Sequence, residues 1–196
     1  MEGHLVSENS APLIRKALLK DVGPLLKLIN GYAEQGIMLP RTEFELAENI
    51  RDFTVAAVGG EVAGCGALHF YGPRSAEVRS LAVHPQWKGH GLGRKLVEAL
   101  EAEAREHGIE SLFAFTYIPD FFARLGFAEV DRRRLPSKVW KDCLRCPKLQ
   151  CCDEIAMQKV LVSRLKGEEA LQSQEAGDAG NGFLIVPTVK PAAMPR

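Results

Sequence analysis

The sequence predicts an α/β domain in which helices flank a central sheet, and three local patterns carry that prediction. Two runs rich in strand-forming residues, 53–58 and 62–70, flank Gly59-Gly60, a pair typical of hairpin turns. The next predicted strand, 76–84, reverses the alternation of its apolar side chains midway, which indicates a β-bulge. Residues 92–107 place apolar side chains at helical spacing and give the clearest helix in the chain.

Capping and turn signals predict the other elements. A short strand at 13–17 precedes a helix for which Asp21 is the expected N-cap residue. Thr42 and Glu45 match a capping box and start a second short helix that runs to about Ile50. The remaining predicted elements are a strand at 111–116 after the helix stop Gly108, a short helix opened by Pro119-Asp120 and ended by Gly126, and a last strand at 155–162.

Composition limits the classes of function. The 196 residues carry 25 basic and 25 acidic side chains, and 46% are hydrophobic, so they support one core and no net charge that would attract nucleic acid or an anionic membrane. Five cysteines, an odd number, and the lack of a basic and then apolar N-terminal segment predict reduced thiols and a cytoplasmic protein. We expect residues 1–11 to be flexible and 163–196 to form a disordered tail.

A glycine-rich stretch joins the bulged strand to the long helix. From Leu81 to Arg94 it reads LAVHPQWKGHGLGR. Glycines let a backbone approach a ligand closely, and the free N–H groups at a helix start suit a pyrophosphate. A P-loop would need Gly-Lys followed by Ser or Thr, and a dinucleotide fingerprint would need a glycine in place of Arg94. The alternative to an anion site is a tight connection that binds no ligand.

This stretch resembles the coenzyme A signature of the GNAT acetyltransferase superfamily. The signature Gln-x-x-Gly-x-Gly corresponds here to Gln86, Gly89 and Gly91, after an apolar strand that ends in Val-His-Pro. A second segment, 121–127, resembles the superfamily's aromatic helix that ends in Gly-Phe. The resemblance covers residues 12–162 and implies the GNAT fold, a mixed, mostly antiparallel sheet with a bulged strand at the acetyl-CoA cleft. It leaves 131–153, which holds four cysteines, as an inserted segment.

The resemblance implies that acetyl passes directly from acetyl-CoA to an amine in a ternary complex, with no metal and no covalent enzyme intermediate. It also implies that backbone groups of Leu81 and Val83 are unpaired in the sheet and bind the pantetheine arm. The Leu81 N–H is the candidate donor to the thioester oxygen. The residues implied in acetyl-CoA binding are Leu81, Ala82, Val83, Gln86, Lys88, Gly89, His90, Gly91, Leu92, Gly93 and Arg94. For Lys88 and Arg94, simple surface exposure is the alternative.

Proton transfer requires a base and an acid. Glu77 lies at the start of the bulged strand, where members of the superfamily often carry a carboxylate, and is the candidate base. A solvated glutamate at a strand end is the alternative. Relatives commonly use a tyrosine just before the Gly-Phe landmark as the acid, but Phe122 stands there. Either Tyr117 or solvent therefore protonates the leaving thiolate.

Three segments resemble the catalytic domain of bacterial N-acetylglutamate synthases, namely 32–43, 117–122 and 135–140. This resemblance implies L-glutamate as the acceptor, in the first step of arginine biosynthesis, with Arg41 and Arg79 as carboxylate partners and Lys138 as a weaker third. Surface ion pairs are the alternative for these side chains. Many relatives carry a kinase-like N-terminal domain that senses arginine, and we expect no feedback through such a domain here.

Other partners stay open at this point. Glutamine, another small amine or a protein N-terminus are alternative acceptors, and a non-catalytic acetyl-CoA sensor is the alternative from a different class. The expected partner is a small-molecule amino acid rather than nucleic acid or membrane. Homodimers are common in the superfamily, but no segment of the sequence locates an interface.

The inserted segment contains four thiols, those of Cys143, Cys146, Cys151 and Cys152. Zinc prefers four such ligands, yet these pairs are unusually close together for one site. Reduced structural cysteines are the main interpretation, and zinc binding or redox sensing are the alternatives. The basic run 132–134 lacks interleaved aromatic residues, so a solvated face is favoured over RNA contact.

Overall fold

A computed structural model describes residues 11–135 and 140–161 of the chain. Its strands are β1 (Leu13–Lys16), β2 (Phe53–Val58), β3 (Glu61–Phe70), β4 (Ser75–Val83), β5 (Ser111–Thr116), β6 (Ala128–Glu129) and β7 (Ile155–Val160). Its helices are α1 (Val22–Ala33), α2 (Glu43–Glu48), α3 (Leu92–Glu106), α4 (Pro119–Ala123) and α5 (Trp140–Cys143). The strands form one sheet in the order β1-β2-β3-β4-β5-β7-β6.

The predicted α/β fold is confirmed. Strands β4 and β5 run parallel, and every other neighbouring pair in the sheet is antiparallel. The hairpin turn between β2 and β3 has positive φ at both Gly59 (60°) and Gly60 (90°), the conformation that favours glycine. In α3, Arg105 pairs with Glu101 one turn earlier at 2.8 Å, as their spacing predicts.

The two predicted N-caps behave differently. The Thr42 hydroxyl accepts from the Glu45 N–H at 3.2 Å, and the Glu45 carboxylate accepts from the Thr42 N–H at 2.8 Å, so the capping box is confirmed. That helix ends at Glu48, earlier than expected, and a 3₁₀ turn follows. Asp21 stands at the N-cap of α1, but the prediction that its side chain caps the helix is wrong. Its carboxylate is buried against the Arg15 guanidinium at 2.6 Å instead.

Helices cover both faces of the sheet. On one face, α1 packs its Leu25 and Ile29 against Val55 and Cys65 of the strands. On the other face, α3 packs its apolar stripe, including Val97 and Leu100, against β3 and β4. Burial of this stripe fixes α3 behind β3 and β4, and the loop before α3 follows the end of β4.

The predicted bulge lies at Ser80. Cys65 pairs with Ala82 and Ala67 pairs with Arg79, so two residues of β4 stand opposite the one residue between them in β3. Ser80 has φ of 52°, the only positive φ at a non-glycine residue in the described ranges. The extra residue turns Val78 and Leu81 toward the same core cluster, which explains their change of alternation.

Beyond Glu77, β4 no longer pairs with β5, because their register runs only from Ser75–Ser111 to Glu77–Phe113. The two strands diverge there and open a cleft in the sheet. None of the helices in the described ranges is both long and apolar enough to cross a membrane. Lys138 and the predicted tail, 163–196, lie outside the described residues, as do residues 1–10 of the predicted flexible start.

Candidate active site

A cavity of about 350 Å³ lies where β4 and β5 diverge. This volume falls in the range of small-molecule sites, roughly 300–1,000 Å³. Its wall comes from the segment after α1, from β4, from the end of β5 and from the inserted segment. The predicted catalytic residues Glu77, Leu81 and Tyr117 line it together with the predicted substrate residues Arg41 and Arg79. The fold therefore brings Arg41 and Tyr117 to three residues that lie close together on β4.

Glu77 is a buried carboxyl group with only 9% of its surface exposed. Burial raises its pKa to about 7, and the nearby carboxylate of Asp142 adds to the increase. The positive charge of Arg79 and a hydrogen bond with Tyr71 act to lower this pKa, but they do not outweigh the effect of burial. The alternative of a solvated glutamate at a strand end is therefore wrong. A carboxyl with a pKa near neutrality is suited to exchange protons with an amine.

Arg79 and Arg41 share one carboxylate from the inserted segment. The Asp142 Oδ2 lies 2.9 Å from Arg79 Nη1 and 3.4 Å from Arg41 Nη2. The two arginine side chains are only 14% and 12% exposed, so neither pair is at the open surface. Burial acts to raise the pKa of Asp142, but the positive charges of Arg41 and Arg79 outweigh it and hold that pKa below its usual value.

Further contacts fix the other side of Arg79. Its Nη2 lies 3.1 Å from His69 Nδ1, which is 2.7 Å from a carboxylate oxygen of Asp52. The Nε of Arg79 is buried and has no hydrogen-bond partner among the described residues. The guanidinium is therefore held in position by two strands and the turn before β2.

Tyr117 is the hydroxyl-bearing aromatic residue that the sequence predicts at the site. Its side chain is partly exposed, and its hydroxyl accepts from Lys148 Nζ at 3.2 Å. Burial raises the pKa of Tyr117, while the contact with Lys148 lowers it. Phe122 lines the same cavity, is 3% exposed, and packs edge-on against Phe121 and Phe127. Phe122 is thus part of the core and offers no proton.

The loop that leads into α3 has an open backbone. Gly89 and Gly91 have φ of 83° and 76°, and no atom lies within 4 Å of the point where a Cβ on either would stand. Gly93 is close-packed instead, since its Cβ would be 3.3 Å from the Phe121 ring. The first N–H groups of α3, which begins at Leu92, have no partner within the helix. Glycines and free amides together form a surface that an anion can approach.

The charged side chains around this loop differ in the contacts that they make. Arg94 is half exposed and forms a 3.6 Å pair with Glu98. Lys88 lies 5.0 Å from the centre of the Tyr32 ring, and the Tyr32 hydroxyl donates to the Val83 carbonyl at 2.6 Å. A side chain of α1 thus already binds the Val83 carbonyl, one of the groups predicted to be unpaired in the sheet and to bind the pantetheine arm.

The other loop residues predicted to bind acetyl-CoA follow the strand end. Ala82 is buried in the α1 core and Leu92 in the α3 core, so only their backbone atoms are available to a ligand. Gln86 is exposed, and His90 places Nδ1 3.0 Å from the Lys88 carbonyl oxygen. The described wall of this cavity includes Leu81 but none of residues 82–94, so cavity and loop are adjacent regions along the end of β4.

The cysteines divide into two groups. Cys143, Cys146 and Cys152 line the cavity, whereas Cys151 is exposed and lies outside its wall. Within residues 11–135 and 140–161, no three histidine, cysteine or acidic side chains are arranged to hold a metal ion. The zinc alternative at these four cysteines thus finds no support in this geometry.

Sequence patterns did not indicate five residues of the site, because each reaches it through tertiary packing. Asp142 stands beside the cysteine that drew attention to the segment, but no spacing relates it to the arginines. The others lie on α1, on β3 or in the turns next to the strands, with no local motif. These residues are Asp142, Asp52, His69, Tyr71 and Tyr32.

Comparison with known proteins connects this geometry to a family. A sequence model described as the Acetyltransferase (GNAT) family matches residues 25–127. The chain is 45% identical over 148 residues to an uncharacterized N-acetyltransferase, CT2212, of Chlorobaculum tepidum, which covers 76% of this chain and 96% of that protein. It is 34% identical over 137 residues to an amino-acid acetyltransferase of Mycobacterium tuberculosis, covering 68% and 78%.

Two solved structures extend the similarity. Rv2747 from Mycobacterium tuberculosis, in complex with CoA and NLQ, is 30% identical with a TM-score of 0.67, over 77% of this chain and 100% of that chain. N-acetylglutamate synthase from Neisseria gonorrhoeae, complexed with coenzyme A and N-acetyl-glutamate, is 29% identical with a TM-score of 0.71. That match covers 80% of this chain and 36% of the gonococcal one. The chain therefore belongs to the GNAT acetyltransferase family and is an acetyl-CoA-dependent N-acetyltransferase.

Proposed function

We propose that this enzyme acetylates the α-amino group of L-glutamate, the reaction of an N-acetylglutamate synthase at the start of arginine biosynthesis. The observation that carries the proposal is one cavity lined by a buried carboxyl group, Glu77, and two arginines, Arg41 and Arg79. Glu77 is a base that can take a proton from an ammonium group, and the two arginines are partners for carboxylates. Similarity to amino-acid acetyltransferases and to the gonococcal synthase supports the same class of acceptor.

Acetyl-CoA supplies the acetyl group as a thioester, and the loop 88–94 fits its pyrophosphate. The backbone at Gly89 and Gly91 is open, and the first amides of α3 are free to donate to phosphate oxygens. Lys88 adds positive charge on the exposed side of the loop. Arg94 contributes less, because Glu98 already pairs with it.

Proton transfers are assigned to groups that line the cavity. Glu77 takes a proton from the acceptor ammonium, directly or through water, and its pKa of about 7 leaves a large ionised fraction at neutral pH. The Leu81 N–H donates to the thioester oxygen as that oxygen becomes negative, a contribution of about 3 kcal/mol for one preorganised donor. The Tyr117 hydroxyl protonates the leaving sulfur, and the Lys148 ammonium beside it stabilises the phenolate that results.

Carboxylate recognition falls to Arg79 and Arg41, whose guanidinium groups form paired hydrogen bonds with carboxylates. Asp142 makes this kind of contact with both arginines. Its position supports a carboxylate subsite at that end of the cavity. Lys138 is a weaker third candidate.

The test is release of coenzyme A from acetyl-CoA with glutamate, glutamine, other amino acids and polyamines as acceptors. We expect release with glutamate, with a raised KM in Arg79→Gln and an unchanged KM in Glu129→Gln, a surface variant on β6. Release with a different amine alone would contradict the glutamate assignment. Binding of acetyl-CoA without release for any acceptor would favour a sensor instead.

A further inference from the structure

We infer that Asp142 determines acceptor specificity, because its carboxylate competes with the side-chain carboxylate of the acceptor for Arg41 and Arg79. The inference rests on the proposed function, acetyl transfer to an amino acid. It assigns to the inserted segment a role in the acceptor site: the protein's own carboxylate weakens the binding of dicarboxylic acceptors relative to those with one carboxylate.

The contact geometry is that of a bound carboxylate. One oxygen of Asp142, Oδ2, contacts a terminal nitrogen of each arginine, at 2.9 and 3.4 Å. Both arginines line the acceptor cavity, as does Asp142 itself. An acceptor carboxylate that approached the same two nitrogens would have to take the place of Oδ2.

Three of the four cations in the described wall of the cavity already pair with a carboxylate. Arg41 and Arg79 face Asp142, and Lys148 pairs with Asp153 at 2.9 Å. Arg132, the fourth, donates to the Glu154 main-chain oxygen at 2.7 Å; burial raises the pKa of the Glu154 carboxyl, and the positive charge of Arg132 opposes that increase. A second carboxylate on the acceptor that binds Arg41, Arg79 or Lys148 must therefore displace a carboxylate of the protein.

The contacts that hold Asp142 from outside the cavity are weak. Asp142 lies on α5, a helix of only four residues, and its side chain is 22% exposed. Its outer oxygen, Oδ1, is held by Arg145 at 3.3 Å, and Arg145 also pairs with Glu45. The Arg145 side chain is half exposed, so these outer contacts contribute little energy. Movement of one short helix would therefore open the subsite.

Two ligands that cannot be acetylated test the inference by binding alone, without turnover. Glutarate carries two carboxylates and no amine, while its monoamide, glutaramate, carries one carboxylate. Asp142→Asn removes the competing charge and keeps the side-chain shape. We expect the variant to bind glutarate about tenfold more tightly by calorimetry, the factor that corresponds to roughly 1.4 kcal/mol. Glutaramate binding should change less than twofold.

Matched controls come from the same segment. Asp131→Asn removes one negative charge that pairs with Arg133 at the surface, and it should leave both ligands unaffected. Arg145→Gln loosens the hold on Asp142 without touching the cavity arginines, and it should strengthen glutarate binding in the same direction but less. This second variant keeps the test valid if Asp142→Asn does not fold.

Kinetics distinguishes the inference from the proposed function. In Asp142→Asn the KM for glutamate should fall while kcat stays within twofold at a pH where Glu77 is fully ionised. Weaker glutarate binding, or equal tightening of both ligands, would overturn the inference. Suppose that Asp142→Asn binds glutarate more tightly while neither it nor the wild type acetylates any amino acid. In that case the proposed function fails, and the competition between Asp142 and a ligand carboxylate stands.

Discussion

Glu77→Gln removes the buried carboxyl group that is the proposed base while keeping nearly the same shape and volume. Loss of a general base costs about 10²–10⁴-fold in rate. In the wild type, kcat/KM should rise about tenfold for each pH unit below the pKa of Glu77, about 7, and level off above it. The variant should be slow at every pH and should lack this inflection.

The same substitution has a predictable effect on stability. The folded pKa of Glu77, about 7, lies above its usual 4.5, so the folded state holds the proton more tightly than the unfolded state. Stability from this group is fully present below about pH 4.5 and is lost as pH rises through about 7, by roughly 3 kcal/mol in total. Gln does not ionise. The variant should therefore gain up to about 3 kcal/mol over the wild type between pH 4.5 and pH 8.

Coenzyme A release against pH and urea unfolding at two pH values measure these effects. Glu129→Gln, an exposed substitution on β6, controls for the loss of a carboxylate elsewhere. A variant that is slow because it is misfolded would lose stability at both pH values, which separates that outcome from loss of the base. An inflection near pH 7 that persists in Glu77→Gln would refute the assignment of the base.

The other predictions concern the loop, the acid and the carboxylate partner. Gly91→Ala puts a side chain on backbone with φ of 76°, at a cost of about 1–2 kcal/mol, and should weaken coenzyme A binding about tenfold by calorimetry. Gly23→Ala in α1, where nothing lies within 4 Å of the new Cβ, should leave binding unchanged. Tyr117→Phe removes the proposed acid and should lower the single-turnover rate about 10²-fold; an unchanged rate would assign protonation to solvent. Arg79→Gln should raise the KM for glutamate and, because Arg79 lowers the pKa of Glu77, shift the kinetic inflection to higher pH.

Local interactions explain which elements were predictable. The hairpin turn at Gly59-Gly60, the capping box at Thr42 and the amphipathic helix α3 each depend on residues within a few positions of one another. The bulge was detectable because it changes the alternation of side chains within one strand. Asp21 shows the limit of this reasoning. Its position predicts a helix cap, but its carboxylate pairs with Arg15 on the preceding strand instead.

The candidate site was predictable in part. Glycine spacing in the loop before α3, and the resemblance built on it, indicated acetyl-CoA and placed candidate residues on β4. The pKa of Glu77 was not predictable, because it depends on burial, on a hydrogen bond with Tyr71 and on charges brought in from distant segments. The Tyr32 contact with the Val83 carbonyl spans 51 positions in the sequence and follows from the packing of α1 on the sheet.

The sequence by itself determined the fold class, the order of nearly all elements and the glycine positions of the loop before α3, because the periodicity of apolar side chains and backbone conformation are local properties. Only the tertiary structure decided which charges meet. Asp142 reaches Arg79 across 63 positions and Arg41 across 101, and no spacing rule describes such pairs. Their energies depend on distance and on exclusion of water, and packing alone sets both.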